Sequence, residues 1–374
     1  MSTEAQPLPF LTACERAGFG PVGVKQRPED FIVEEVPLYE PAGTGTHVWF
    51  WIEKRNLSTH DAARLLAKAL GKRPGDAGFA GLKDTLGVTR QWLTFEHVAP
   101  DLERAAAQNA LDLGAQLRVL AVTRHGNKLK RNHLRGNRFE ILMRAGEARG
   151  ALLAQARKVL DELGRRGVPN YYGPQRFGRD GRNAELGRLL VAGDEAGYFA
   201  EAEKGGLRGP KARDRKLQEL FVNALQAELF NRVLARRMPA IDELWEGDLA
   251  WLHRNGAVFK VTDLAAERPR CAAFEVSPSG PIFGPKMTFP AGRTEDLERD
   301  VLSASGIALE DFGRKEAGRQ PGARRPLRVP LLEAPRLAED PEGVRLAFAL
   351  PSGSYATVLL REIVGDAPLA GANA

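Results

Sequence analysis

Residues 78–98 read GFAGLKDTLGVTRQWLTFEHV, and the two halves of this stretch follow different rules. Glycines at 78, 81 and 87 punctuate the first half, where freedom at positive φ lets a backbone hold a tight loop. Asp84 stands at the tip of that loop, an exposed but sterically held carboxylate. From Arg90 to Val98 the aromatic and β-branched residues predict a strand. Thr85, Thr89 and Gln91 bring hydroxyl and amide groups able to orient the carboxylate or a substrate. Taken alone, an aspartate among glycines reads as a turn residue.

Working outward, Phe31 to Val36 and Thr46 to Lys54 also predict strands, as do Leu117 to Thr123 and Asn137 to Arg144. Between them Ser58 or Thr59 caps a helix with Ala62, Leu65, Leu66, Ala69 and Leu70 at helical spacing, stopped by Gly71. The first part is therefore α+β with mostly antiparallel strands. From about residue 150 the character changes. Gly150 to Arg166 is Ala/Leu-rich and helical, VPNYYGPQRFGRDGRN (168–183) is rich in turns and aromatics, and a long helix runs from Asp214 to about Arg237. VSPSGPIFGPKMTFPAGR (276–293) reads as a Pro/Gly-rich connection. Strand character returns beyond about Leu327, in RLAFAL (345–350) and SYATVLLREIV (354–364). This order suits an insertion between two halves of one sheet.

Composition bounds the class. The chain has 374 residues, of which 43% are hydrophobic and 27% charged, an ordinary globular balance that excludes collagen, coiled coil and bulk disorder. No apolar run approaches the roughly 18–20 residues of a membrane span. Glu4 and the lack of a basic region before an apolar core argue against a secretory signal. Cys14 and Cys271 give neither a disulfide framework nor a metal-site spacing, so a soluble cytoplasmic protein is expected. The formal charge of +6 favours an anionic partner. Basic residues concentrate in three tracts, 124–138, 204–216 and 314–328, which together suggest a surface that tracks phosphates.

No phosphate-loop, dinucleotide, HExxH or CxxC motif occurs, and His47, His60, His97, His125, His133 and His253 lack ligand spacing. A nucleophilic serine elbow is also missing. Beside Asp84, the remaining candidate is Gly136-Asn137-Arg138-Phe139. Asn137 offers donors and an acceptor to a base edge, and Phe139 projects from the same strand face, placed to stack on a base or to fill a core.

At these residues the chain resembles the tRNA pseudouridine synthase D (TruD) family. PEDFIVEE (28–35), GTGTHVWFWIEK (43–54) and FAGLKDTLGVTRQW (79–92), the last similar to the family signature AGxKDxxAxTxQ, carry the resemblance. GNRFEILMR (136–144), GVPNYYGPQRFG (167–178) and LPSGSYATVLLREI (350–363) extend it in the same order to residue 364.

The resemblance implies an α+β pseudouridine synthase-like catalytic domain with a mixed, mostly antiparallel sheet, formed by 1–165 plus 327–374. An α+β TruD-specific domain, 166–326, would interrupt it. It further implies conversion of uridine to pseudouridine at position 13 of tRNA, with neither cofactor nor metal. The base would be flipped into a pocket, and Asp84 would act as nucleophile on the ribose or as base at C2′; the sequence does not choose.

By carry-over Phe31 and Phe139 resemble aromatic walls, Asn137 a base-edge contact and Tyr355 a stacking residue where relatives often carry Phe. Lys25 and Lys83 are candidates for phosphate contact or for keeping Asp84 ionised, and Lys83 is the weaker because adjacent residues on an extended chain point apart. Tyr171, Tyr172, Gln175, Arg176 and Phe177 either support the cleft or pack a junction. The tract 204–216 would help to grip tRNA. A monomer is expected, and the rival readings are an RNA-binding or chaperone protein on the same scaffold, or the same reaction on other RNAs.

Overall fold

Residues 8–12, 22–178, 181–315 and 317–365 are described by the computed structural model; Glu4 and Cys14 lie outside them. Period-two alternation in the first part becomes β1 (Phe31–Pro37), β2 (His47–Arg55), β3 (Val88–Glu96), β4 (Leu117–His125) and β5 (Leu134–Arg144). The helices α1 (Thr59–Ala69) and α2 (Pro100–Ala107) fall between them. Ser58 caps α1 by accepting from the Asp61 amide, and Gly71 follows its end at φ +63°, as the spacing predicts.

After β5 the chain forms α3 (Arg149–Arg166) and the short β6 (Val168–Pro169), then three helices, α4 (Arg182–Ala192), α5 (Glu195–Lys204) and α6 (Arg215–Arg237). A small sheet follows, from β7 (Leu249–Leu252), β8 (Val258–Lys260), β9 (Val276–Ile282) and β10 (Ala323–Pro326). Around it lie α7 (Leu264–Ala272) and α8 (Arg293–Ala304). The chain returns through β11 (Arg328–Val329), which pairs antiparallel with β6, to β12 (Arg336–Asp340), β13 (Gly343–Pro351) and α9 (Ala356–Val364).

The large sheet has the order β12-β13-β5-β1-β3-β2-β4, and only β1 and β3 run parallel. Its β5–β13 junction joins strands about 200 positions apart, so both ends of the chain are needed to close it. One buried cluster packs Phe31, Val33, Phe139, Ile141 and Phe348 under Leu152, Leu160 and Leu163 of α3 and Leu359, Leu360 and Ile363 of α9. Another packs Val48, Phe50 and Ile52 against Ala62 and Leu66 of α1.

Three expectations need correction. Residues 354–364 form a turn and α9, not a strand. Their β-branched content favours extension, but Leu359, Leu360, Ile363 and Val364 repeat at helical spacing, and packing against α3 decides the outcome. The Pro/Gly-rich stretch 276–293 is not simply a connection, because Val276–Ile282 is a buried strand paired on both sides.

The tract 314–328 is only half a solvated surface: Arg314, Lys315 and Arg319 are exposed, whereas Arg324 and Arg328 are not. Arg324 is buried and bidentate to Glu298 at 2.8 and 2.7 Å. Arg328 is buried and donates to the carbonyls of Arg166 and Cys271. Buried guanidinium groups need such partners, so these charges hold the small sheet and the β6–β11 neck together.

Candidate active site

The loop that carries Asp84 is held by its backbone. Gly87 adopts φ +115°, and a Cβ there would meet the Phe31 carbonyl oxygen at 2.6 Å, so only glycine lets the loop cross β1 this closely. The Gly87 amide donates to Asn56 Oδ1 at 3.1 Å, and the Asn56 amide donates to the Gly87 carbonyl at 3.0 Å. At the other end Gly78 and Thr94 exchange two backbone bonds. Gln91, fully buried, accepts from Thr59 Oγ1 at 2.9 Å and donates to the Gly81 carbonyl at 3.2 Å. It therefore braces the loop from beneath.

Lys54 completes the bracing. Its Nζ donates to the carbonyls of Leu57 and Asp84, both at 2.7 Å, from a fully buried position at the end of β2. Burial pulls its pKa from 10.5 to about 8, an effect the Asp84 charge opposes. The unfolded chain keeps that proton to about 10.5, so between pH 8 and 10.5 the unfolded state binds more protons, and this group's contribution makes stability rise with pH. Below pH 8 both states are protonated and the contribution is flat. We expect the stability difference between wild type and Lys54→Met, read by urea denaturation, to grow in favour of wild type from pH 8 to 10. A pH-independent difference would refute this.

Held in this way, the Asp84 side chain is 54% exposed, and its Oδ2 lies 3.1 Å from Lys25 Nζ. Lys25 has φ 57°, a left-handed backbone that is strained for a lysine and is maintained only by its surroundings. The same ammonium sits 3.9 Å from the centroid of the Phe31 ring. Asp84, Lys25 and Phe31 thus form one contiguous group.

Lys83 turns the other way, as adjacent residues do. It is buried, donates from Nζ to Asn137 Oδ1 and lies 3.6 Å from Glu35 Oε2. Asn137 stands opposite Glu35 in the β1–β5 register, so these three polar groups share the face that elsewhere buries Phe31, Val33 and Phe139. Lys83 occupies the Asn137 oxygen, and Asn137 Nδ2 has no hydrogen-bond partner among the described residues, which leaves it available to donate. Burial pushes the Glu35 carboxyl up and the Lys83 ammonium down, and each charge opposes the other's shift.

Phe31 and Phe139 are tilted against each other at 6.2 Å, and Phe139 stacks on Phe348 at 5.2 Å. Both are at least nine-tenths buried. Tyr355 is not among their ring contacts; it meets Tyr172 at 5.9 Å. It is tied to the site through the chain instead, because β13 places Leu350 opposite Asn137 and then turns into α9 at Tyr355.

Two supporting residues, Glu35 and Lys54, went unnoticed in the sequence although a signal was there. Along β1 the inward positions run Phe31, Val33, Glu35, and along β2 Val48, Phe50, Ile52, Lys54. A charge in an inward position of an alternating strand must find a buried partner or a functional use. Among the described residues no cluster of three or more His, Cys, Asp or Glu could hold a metal ion. None of their helices is long and apolar enough to cross a membrane.

A family model for tRNA pseudouridine synthase D (TruD) matches residues 11–202 and 198–363. A curated relative of that name from Geobacter sulfurreducens is 40% identical, over 97% of this chain and 98% of its own. One from Anaeromyxobacter dehalogenans is 44% identical, over 97% of this chain and 98% of its own. A solved structure from Methanosarcina mazei, described as a putative tRNA pseudouridine synthase D, aligns with a TM-score of 0.75 over 95% of both chains at 23% identity, which speaks for the fold. With a match that runs through both halves of the large sheet and the segment between them, the chain belongs to the tRNA pseudouridine synthase D (TruD) family.

Proposed function

We propose that this chain isomerises uridine to pseudouridine in tRNA, at position 13, with Asp84 as the catalytic carboxylate. The observation that carries the reading is the Asp84 loop: an exposed carboxylate, paired to a strained lysine at 3.1 Å and braced by buried Lys54 and Gln91, in a chain of this family. In the reaction the N1–C1′ bond breaks, the uracil turns, and C5 bonds to C1′, with the C5 proton leaving and N1 gaining one. No atom is lost overall, so the site must hold a detached base. Asp84 either attacks the ribose or takes a proton at C2′. Lys25 balances its charge, Asn137 Nδ2 offers a donor to a base edge, and Phe31 and Phe139 back the site. A stacked uridine cannot reach this carboxylate, so the nucleotide is flipped out.

We further read 1–165 with 327–374 as the catalytic domain and 166–326 as the inserted one, joined at the β6–β11 neck, in a cytoplasmic monomer. The insertion's tract 204–216 supports tRNA contact. Lys211, Arg215 and Lys216 are exposed without carboxylate partners among the described residues, and Arg213 lies over Phe199 at 5.0 Å, whereas Lys204 and Arg208 are paired with Glu201 and Glu203. Replacing Lys211 and Arg213 by Gln should lower the slope of log affinity against log salt by up to about two and leave turnover of bound RNA near wild type. An unchanged slope would remove the tract from the interface. The reading as a whole is tested by pseudouridine mapping at nucleotide resolution on tRNA treated with the purified protein. Conversion of one uridine, at position 13, is the expected result; tight binding without conversion would favour an RNA-binding protein on this scaffold.

A further inference from the structure

The aromatic block 168–178 bears on a second group of side chains. Arg176 and Arg325 converge on Tyr172, with guanidinium carbons 5.6 and 4.2 Å from its ring centroid, and Tyr172 meets Tyr355. Neither arginine has a carboxylate within 4.0 Å among the described residues, although other enclosed arginines do, Arg324 with Glu298 and Arg237 with Asp248. Arg325 is fixed through Nε and Nη2, which donate to the Asn170 carbonyl at 3.3 and 3.2 Å; Nη2 also reaches Asn170 Oδ1 at 2.5 Å and the Gly353 carbonyl at 2.9 Å. Its Nη1 donates to no carbonyl or carboxylate among the described residues, and the Tyr172 hydroxyl lies close enough to the guanidinium to accept a hydrogen bond. The Arg176 guanidinium makes no hydrogen bond to a described residue, and its Nε is buried.

Two neighbouring guanidinium groups with unused donors repel each other and waste desolvated hydrogen-bonding capacity. An anion with several oxygens would relieve both costs. The backbone offers a third attraction, because α9 starts beside them with no side-chain cap, and Thr357 in its first turn reaches Gln175 at 3.4 Å. The chain is packed tightly here: a Cβ on Gly173 would lie 2.8 Å from Thr357 Oγ1 and 3.0 Å from the Tyr355 ring. This group adjoins the Asp84 site through a short path. Asn137, bonded to Lys83, stands opposite Leu350; the Ser352 amide donates to the Arg135 carbonyl; and Gly353 accepts from Arg325.

We propose that Arg176, Arg325 and the N-terminus of α9 form a subsite for one phosphodiester of the RNA backbone beside the nucleotide held at Asp84, with Tyr172 and Tyr355 as its aromatic floor. The inference rests on the RNA-modifying function proposed above. A phosphodiester suits the site because its two free oxygens can accept from two guanidinium groups at once. The insertion and the catalytic sheet each supply part of the subsite, so it would clamp the backbone across their junction.

The test uses full-length protein and tRNA assembled by ligation, in which single phosphodiesters flanking the target uridine are replaced one at a time by uncharged methylphosphonates. For wild type, one linkage should weaken binding about tenfold to a hundredfold. Arg176→Gln should lose a similar factor on unmodified tRNA, lower the salt slope by about one, and lose nothing further at that linkage. Arg176→Lys should recover part of the loss. If the variant and linkage effects multiply at every position, or no linkage matters to wild type, the subsite is overturned. The methylphosphonate arm needs no variant to fold, and pseudouridine formation by wild type on unmodified tRNA separately reports whether the functional reading stands.

Discussion

Asp84→Asn is expected to abolish pseudouridine formation, by on the order of 10⁴- to 10⁶-fold, while tRNA binding and folding persist. The change removes a charge and a nucleophilic oxygen with almost no change in volume. The loop should not collapse, because its bracing passes through the Asp84 carbonyl to Lys54 and through Gly81 to Gln91, neither of which involves the carboxylate. The lost ion pair with Lys25 is half in solvent on the Asp84 side, so its removal should cost no more than about 1 kcal/mol. Single-turnover pseudouridine formation, tRNA binding and urea denaturation on the same preparation separate the three quantities. Residual turnover within tenfold of wild type would take Asp84 out of the chemistry.

The second large effect is on stability. Lys83→Met leaves the Glu35 carboxyl in the core without its 3.6 Å partner, and breaking one side of a buried ion pair costs about 3–5 kcal/mol. Part of that cost is avoided if Glu35 takes up a proton, the direction in which burial already pushes it. Replacing both partners, as Glu35→Leu with Lys83→Met, should restore most of the stability, since an apolar pair suits the face shared with Val33 and Phe139. Activity should not return with it. Asn137 Oδ1 loses the donor that orients its amide, so the double variant should fold and still isomerise uridine poorly. Urea midpoints for the single and double variants, set beside their turnover, test both halves. A double variant that is stable and fully active would reduce Lys83 and Glu35 to packing.

The motif around Asp84 and the other family-like blocks were readable as linear strings, and the alternating strands of the large sheet could be read from period two. The misread element, 354–364, failed for a physical reason: β-branched residues favour extension in isolation, and burial against α3 outweighs that preference. In a sequence Arg324 and Arg328 look the same as their solvated neighbours Arg314 and Arg319, because whether a charge is buried depends on which segments close over it.

The sequence by itself determined the family, the α+β class and the glycine-punctuated loop that carries Asp84, because these follow from local spacing and short-range backbone geometry. Only the tertiary structure decided which polar groups meet. The β1–β5 register sets Glu35 against Asn137, and the β5–β13 pairing brings residues about 200 positions apart to one edge. The loop fold turns Lys25 toward Asp84 and Lys83 away from it. Ion pairs, hydrogen bonds and desolvation act over a few ångströms in space, and distance along the chain carries almost none of that information.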